Sequence, residues 1–362
     1  MTKGLTTNDS MRIALIYNEP KHTEPEDHWL SRSRAEVELE HDFRDASEFG
    51  VLEEIQVIAQ AIKDDGHDVL VFSVDDDIHR LITFLDKENP DLIFNLCEAV
   101  LGKASLEMPI AGIYELYDIP YTGSPAIALG IALNKGLSKA IFKAHDIPTP
   151  AFVIVDEEEF IPQDLNLAYP LIVKPVREDA SIGIDNNSIC ADEDALEKRI
   201  AFVHKEFHQP ALVEEYIDGR EINVAVLAGE SGKFETLPVS EILFDTMPAG
   251  NPRIVSYEAK WVEESPLYQT TIPKCPAELD VVTTEQAREL ALRAAAVVGL
   301  SDYGRIDMRL RDSDNALFVL EANPNPDISR DAGFMRAAGV KGYSHAQTIG
   351  AIVRCAMRRV RK

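Results

Sequence analysis

The segment "LEANPNPDIS" (Leu320–Ser329) sets a carboxylate, Glu321, and a carboxamide, Asn323, at the end of an apolar run, and "GRIDMRL" (Gly304–Leu310) sets Arg305 and Asp307 in another. Side chains of a strand alternate faces, so Glu321 and Asn323 point the same way, as do Arg305 and Asp307. If the two strands are neighbours, one patch gathers three hard oxygen donors and a guanidinium. Such a set suits Mg2+, which takes one or two carboxylates and completes its shell with phosphate oxygens and water. A lone acid at a strand end is ordinarily just solvated; the joint pattern carries the reading.

Phosphates also need positive charge. Lys174 ends the apolar strand "LIVKP", where an unpaired ammonium would be costly, and Lys135 sits in "ALNKGLSK" on a helix ahead of it. "REDASIGID" (Arg177–Asp185) follows Lys174 with small residues and one glycine. It reads as a loop whose backbone N–H groups, Ser181 among them, can fold over phosphates. "VEEYIDGRE" (Val213–Glu221) supplies a strand, a turn at Gly219 and acceptors for an adenine amine and ribose hydroxyls.

The rest of the composition agrees with a metal-assisted grip on an anion. With 62 acidic against 36 basic residues and a formal net charge of −26, the surface repels nucleic acid and anionic lipid. An anionic ligand must therefore be held by local cations or a metal. The four cysteines, Cys97, Cys190, Cys275 and Cys355, lie far apart with no CxxC pairing, which argues against a zinc site or a disulfide framework and for buried thiols. No apolar run approaches membrane-spanning length, and "MTKGLTTNDS" lacks the apolar core of a signal peptide. The chain reads as cytoplasmic, with a loose polar start.

At 362 residues it has length for two or three domains. "MRIALIY" reads as a buried strand, and residues 51–62 carry apolar positions at helical spacing, with Gly66 as the stop before a second strand. "DLIFNL" is a third strand. Strands alternating with helices mean a parallel sheet with ligands at its carboxyl ends, so "NEPKHTEPEDHW" and "NLCEAVLGKASLE" become candidate substrate loops. After "IPYTGS" a helical stretch runs to His145, and "IPTP" ends it. A small α+β block with short strands follows to about Ile217. The last block carries "SYEAKW", a helix from Thr284 to Val298, the two strands of the metal patch and a helix from Ser344 to Arg359. The expected architecture is α/β and α+β in three domains, 1–123, 124–217 and 218–362.

In order, Lys135, "VKP" with its small-residue loop, "VEEYIDGRE", "YEAKW", "GRIDMRL" and "LEANPNP" resemble the ATP-grasp fold, most closely its D-alanine–D-alanine ligase branch. The match is good over residues 90 to 355 and leaves the first part as a general βαβ plan, a parallel-sheet pre-ATP-grasp domain. The resemblance implies ATP gripped between the second and third domains, with Lys135 and Lys174 on its phosphates. Glu214 and the backbone of Glu215, Tyr216 and Ile217 would serve adenine, and Glu221 the ribose. Lys260 would close over the γ-phosphate. Asp307, Glu321 and Asn323 would hold two Mg2+ ions, for which Mn2+ could substitute, and Arg305 would stabilise developing charge. A substrate carboxylate would attack the γ-phosphate, and an amine would displace phosphate from the acyl phosphate to form an amide. The resemblance also favours a homodimer through the first domain.

The amino-acid pockets depart from the family. Its Gly-Gly-x-Ser-x-Glu stretch after the first strand is replaced by "NEPKHTEPEDHW", its phosphate-loop serine by Ala180 and its closing-loop tyrosine by Trp261. Ala332 lies near the place of the serine that receives the second substrate's carboxylate, and "FNLCEAVLGKASLE" replaces a His-Gly loop. The ATP half is intact while both substrate pockets are rebuilt. That pattern points to a ligase for an amino acid or small peptide other than two D-alanines; an authentic D-alanine–D-alanine ligase and an ATP-grasp kinase are the alternatives. Candidate pocket residues are Glu19, His22, Asn95, Glu98, Lys103 and Glu107 in the first domain, with Arg330 and Asp331 after the metal motif.

Overall fold

Three separate sheets organise the computed structural model, which describes residues 10–18, 52–74, 77–101, 103–157, 165–229 and 231–359. Glu19 and His22 lie outside the described residues. The first sheet holds β1 (Arg12–Tyr17), β2 (Asp68–Ser73) and β3 (Leu92–Leu96) in the order β2-β1-β3, all parallel. Helices α1 (residues 52–64), α2 (Ile78–Glu88) and α3 (Glu107–Leu116) accompany it. The central strand β1 and its neighbour β3 are apolar and buried along nearly their whole length because both faces are covered, whereas the edge strand β2 is half-exposed.

The helical stretch after Ser124 is two helices, α4 (Ala126–Leu133) and α5 (Lys135–Ala144), where the sequence suggested one. Asn134 between them is extended, and its side chain accepts from Leu137 N at 3.0 Å, capping α5. An Asn cap outcompetes helix continuation here and makes Lys135 the first residue of a new helix.

The second sheet is antiparallel, in the order β4-β7-β5-β6, from β4 (Phe152–Val155), β5 (Leu171–Pro175), β6 (Ile189–Cys190) and β7 (Ala211–Glu215), with α6 (Glu193–Phe207) packed on its apolar face. The third sheet contains β8 (Gly219–Ala228), β9 (Phe234–Thr236), β10 (Ser240–Leu243), β11 (Ile272–Lys274), β12 (Tyr303–Arg311) and β13 (Leu317–Asn323) in the order β11-β10-β8-β12-β13, with β9 on β8. The short helices α7 (Tyr257–Trp261) and α8 (Pro266–Thr270) precede β11. Helix α9 (Val281–Val298), which begins three residues before the sequence suggested, covers one face of the third sheet. Ile222, Val224, Val226, Ile306, Met308 and Leu310 point into that core, so the alternate residues of β8 and β12 face the other way.

Helices α10 (Gly333–Lys341) and α11 (His345–Arg359) return to the first sheet, where Phe334, Ile349, Ile352 and Val353 share a core with Met11, Ile13 and Leu15. Three cysteines are buried free thiols and Cys275 is half-buried. Among the described residues no helix is long and apolar enough to cross a membrane.

Candidate active site

The polar face of the third sheet carries a row of side chains across three strands. Asn223 on β8 is opposite Asp307 on β12, which is opposite Glu321 on β13. The pair flanking that row is Arg305, opposite Asn323. A β-bulge makes this alignment possible. Asp307 pairs with Glu321 but the next residue, Met308, pairs with Val319, so Leu320 is an extra residue in β13. Val319 therefore packs into the core against α9 while Glu321 and Asn323 face the site. Strict alternation would have put Glu321 on Val319's side.

Asp307 is almost wholly buried and its oxygens are well supplied. Arg305 grips it with both ends of the guanidinium, Nε to Oδ1 at 2.7 Å and Nη2 to Oδ2 at 2.7 Å, and Asn223 Nδ2 donates to Oδ1 at 2.8 Å. Burial works against the Arg305 charge, but the Asp307 carboxylate outweighs it and raises its pKa further. Burial likewise pushes Glu321 up, yet Lys135, Lys174 and Arg305 attract the carboxylate strongly enough to hold it at about 2. Lys135 Nζ stands 3.4 Å from Glu321 Oε2 and also donates to the carbonyl of Glu178. Among the described residues no group of three or more His, Cys, Asp or Glu could hold a metal ion by itself. Two carboxylates and an amide oxygen at one strand end fit a cation that shares its shell with phosphate, the Mg2+ pattern.

Across the cleft, Lys174 and Glu214 come from adjacent strands, β5 and β7, with Nζ to Oε1 at 2.7 Å. The N–H groups of Glu215 and Tyr216 are committed to the carbonyls of Ala151 and Pro170, and the Glu215 carboxylate accepts from Ala168 N. Of those three expected donors, only the Ile217 N–H makes no backbone hydrogen bond among the described residues. Glu221 pairs with Arg309 at 3.2 Å, and burial, partly offset by Arg309, raises its pKa.

The loop after Lys174 turns through left-handed conformations at Ala180 (φ 50°), Ser181 (φ 63°) and Gly183 (φ 73°). Gly183 has no alternative: an added Cβ would stand 2.7 Å from Pro175 Cγ and 2.8 Å from Phe207. This loop is stitched to the segment leading into α7. Ser181 Oγ donates to Val255 O at 2.9 Å, Tyr257 N to Ile184 O at 2.9 Å and Trp261 Nε1 to Ala180 O at 3.0 Å. The Ser181 hydroxyl is thus spent between loops. The indole makes the bridge through a backbone carbonyl, which needs no side chain at Ala180. Lys260 Nζ lies over the Trp261 ring, 5.0 Å from its centre, and burial together with the Arg305 charge lowers its pKa.

The described residues suggested for a substrate pocket separate into three groups. Glu98 lies in the loop after β3, and Glu107, the first residue of α3, is among its electrostatic neighbours. Desolvation by the surrounding protein pushes Glu98 up to about 7, the Asp327 and Asp179 carboxylates add to the rise, and Lys260 partly offsets it. Glu107 is buried and raised well above the usual range by burial and by Glu98, while Asn325 Nδ2 donates to it at 3.2 Å. Asn95 is instead buried in the loop's own framework, accepting from Cys97 N and Tyr114 OH. Lys103, Arg330 and Asp331 are exposed; Lys103 closes a tight turn with Val100 through its backbone.

Several site residues escaped the sequence. Asn223 was hidden in an apolar strand, where the signal was a carboxamide at an alternating position. Asn325, two residues past Asn323, accepts from Tyr303 OH at 2.5 Å and joins the end of β13 to Glu107. Lys139, one helical turn after Lys135, sits on the other oxygen of Glu214 at 2.7 Å.

A family model described as D-ala D-ala ligase C-terminus matches residues 141–354. A protein of Sinorhizobium fredii described as uncharacterized protein y4sG is 30% identical over 83% of this chain and 87% of its own length. The D-alanine--D-alanine ligase of Bordetella avium is 34% identical over 70% of this chain and 75% of its own. The crystal structure of a Bacillus anthracis D-alanine--D-alanine ligase complexed with ATP superposes with a TM-score of 0.67, covering 97% of this chain and 99% of that one at 20% identity, which establishes the fold.

Proposed function

The chain belongs to the D-alanine–D-alanine ligase family of ATP-dependent ligases, and from that premise we propose that it joins an amino acid or small peptide, other than two D-alanines, to an amine. The observation that supports the substrate half of this reading is the acidic wall of Glu98, Asp327 and Glu107, with Lys260 nearby. An ammonium group of a substrate is the natural counter-ion for that wall.

Phosphoryl transfer asks mainly for position and charge neutralisation. Lys135 and Lys174 would neutralise phosphate oxygens, and the Ile217 N–H and Glu214 would read adenine. Asp307, Glu321 and Asn323 would hold Mg2+, which supplies further neutralisation of the phosphates. The substrate carboxylate would take the γ-phosphoryl group, the amine would attack the acyl phosphate, and Arg305 would carry the oxyanion of the tetrahedral state. No side-chain nucleophile is required. A cytoplasmic homodimer is the matching cellular form.

The test is an amino-acid and dipeptide library screened with ATP and Mg2+ for amine-dependent phosphate release, with product mass showing an amide. D-alanyl-D-alanine formed efficiently from D-alanine alone would overturn the altered-pocket reading. ADP accumulating at full rate with one substrate and a stable phosphorylated product would make the enzyme a kinase. A pH profile adds a second check. Glu98 is neutral below about 7 and ionised above it, so kcat/KM for the ammonium-bearing substrate should rise roughly tenfold across that point beyond the slope due to the amine itself. The Glu98→Gln variant should lose this extra rise.

A further inference from the structure

We propose that Lys139 is a positioning residue for nucleotide binding: it serves as the permanent counter-ion of Glu214, so that Lys174 can leave that carboxylate for a phosphate. This inference rests on the reading of Glu214 and Lys174 as nucleotide-binding residues, and it concerns a residue that reading does not use.

The geometry is a three-membered buried charge cluster. Glu214 is fully buried, with Lys139 Nζ 2.7 Å from Oε2 and Lys174 Nζ 2.7 Å from Oε1. The two cations are not equivalent. The Lys139 side chain is 1% exposed and Lys174 is 12% exposed. Lys139 is also anchored at its far end, where Nζ donates to Thr149 Oγ1 at 2.9 Å and that hydroxyl donates to Val319 O at 2.8 Å on the metal strand. Lys174 has no such anchor among the described residues. Burial pulls the Lys139 pKa down against the attraction of Glu214, whereas Glu214 is lowered because its two lysines together outweigh its own burial.

Two cations on one carboxylate leave a surplus positive charge in the nucleotide cleft. A phosphate can recruit Lys174 without stranding Glu214, because Lys139 stays in place. With a neutral side chain at 139, Lys174 becomes the sole counter-ion of a carboxylate that has no access to water, and a phosphate must compete with Glu214 for it. Breaking a buried pair by withdrawing one partner is strongly unfavourable. The same helix turn presents Lys135 to Glu321 and Lys139 to Glu214, so α5 serves both walls of the cleft.

The test is steady-state kinetics with the full-length enzyme. Lys139→Met should raise KM for ATP on the order of tenfold or more and leave kcat at saturating ATP within about threefold. In the Glu214→Gln background, where Lys174 has no carboxylate to neutralise, adding Lys139→Met should change the ATP KM by less than about twofold relative to Glu214→Gln alone, a strongly non-additive cycle. Because the double variant buries no unpaired charge, it reports even if Lys139→Met alone folds poorly. A purely structural role would lower the melting temperature of Lys139→Met and leave the ATP KM unchanged; that result, or simple additivity in the double variant, overturns the proposal. Lys174→Met separates the two readings. If it leaves the ATP KM at the wild-type value, the nucleotide-site assignment fails, independently of what Lys139 does.

Discussion

Glu321→Gln should lower Mg2+-dependent ADP production by on the order of 10³-fold while the protein stays folded. The change is nearly isosteric, and Glu321 sits at a strand end with its side chain toward the cleft. Its charge is what the surroundings are built for: Lys135, Lys174 and Arg305 all converge on it. Neutralising it leaves those cations facing one another and removes one of two carboxylates available to a divalent ion. Asp307 alone cannot compensate, since Arg305 and Asn223 already take three hydrogen bonds from its two oxygens and leave it little capacity beyond one bond to a cation. Circular dichroism of the variant should match wild type, and a coupled assay for ADP should show the loss at every Mg2+ concentration reached. Full activity would remove Glu321 from the metal set.

How much of this was legible without coordinates depends on the length scale of the signal. The opposition of Asp307 and Glu321 follows from two strands of clear alternation, because chemistry-bearing residues at period two announce a shared face. The extra residue at Leu320 was invisible, since a bulge is a property of pairing and leaves no local mark in "FVLEAN". The site works only because of it, as the burial of Val319 beside the accessible Glu321 shows. Asn134 was read as part of one long helix; its role as a cap depends on the competition between a side-chain acceptor and the helix ladder, which sequence spacing reports weakly. Lys139 looked like one more lysine on a helix, and only burial reveals it as a counter-ion.

The Trp261–Ala180 bridge shows a different limit. The sequence registers the loss of two hydroxyl-bearing residues, and the remaining indole N–H was a donor in search of an acceptor. The acceptor is the Ala180 carbonyl, exposed by the left-handed turn at that residue. Backbone conformation, not side-chain identity, restores the connection between the two loops. The same principle governs the backbone from Glu215 to Ile217, where the Ala151 and Pro170 carbonyls take two of the three N–H donors expected for adenine.

Arg305→Lys should cost about 10²–10³-fold in kcat with the ATP KM changed by less than about threefold. Five N–H donors belong to a guanidinium, and two of them are spent on Asp307, leaving three for a substrate oxyanion. A lysine ammonium keeps the charge but is a point donor, so it can neutralise Asp307 or reach the oxyanion and cannot do both with fixed geometry. In the proposed site the nucleotide phosphates rest on Lys135 and Lys174 and not on the Arg305 fork, hence the small change expected in KM. Single-turnover measurements divide the two chemical steps. Formation of the acyl phosphate should slow less than its aminolysis, because the tetrahedral oxyanion arises only in the second. An equal slowing of both would assign Arg305 to the phosphoryl transfer itself, and unchanged kinetics would leave it as a structural partner of Asp307.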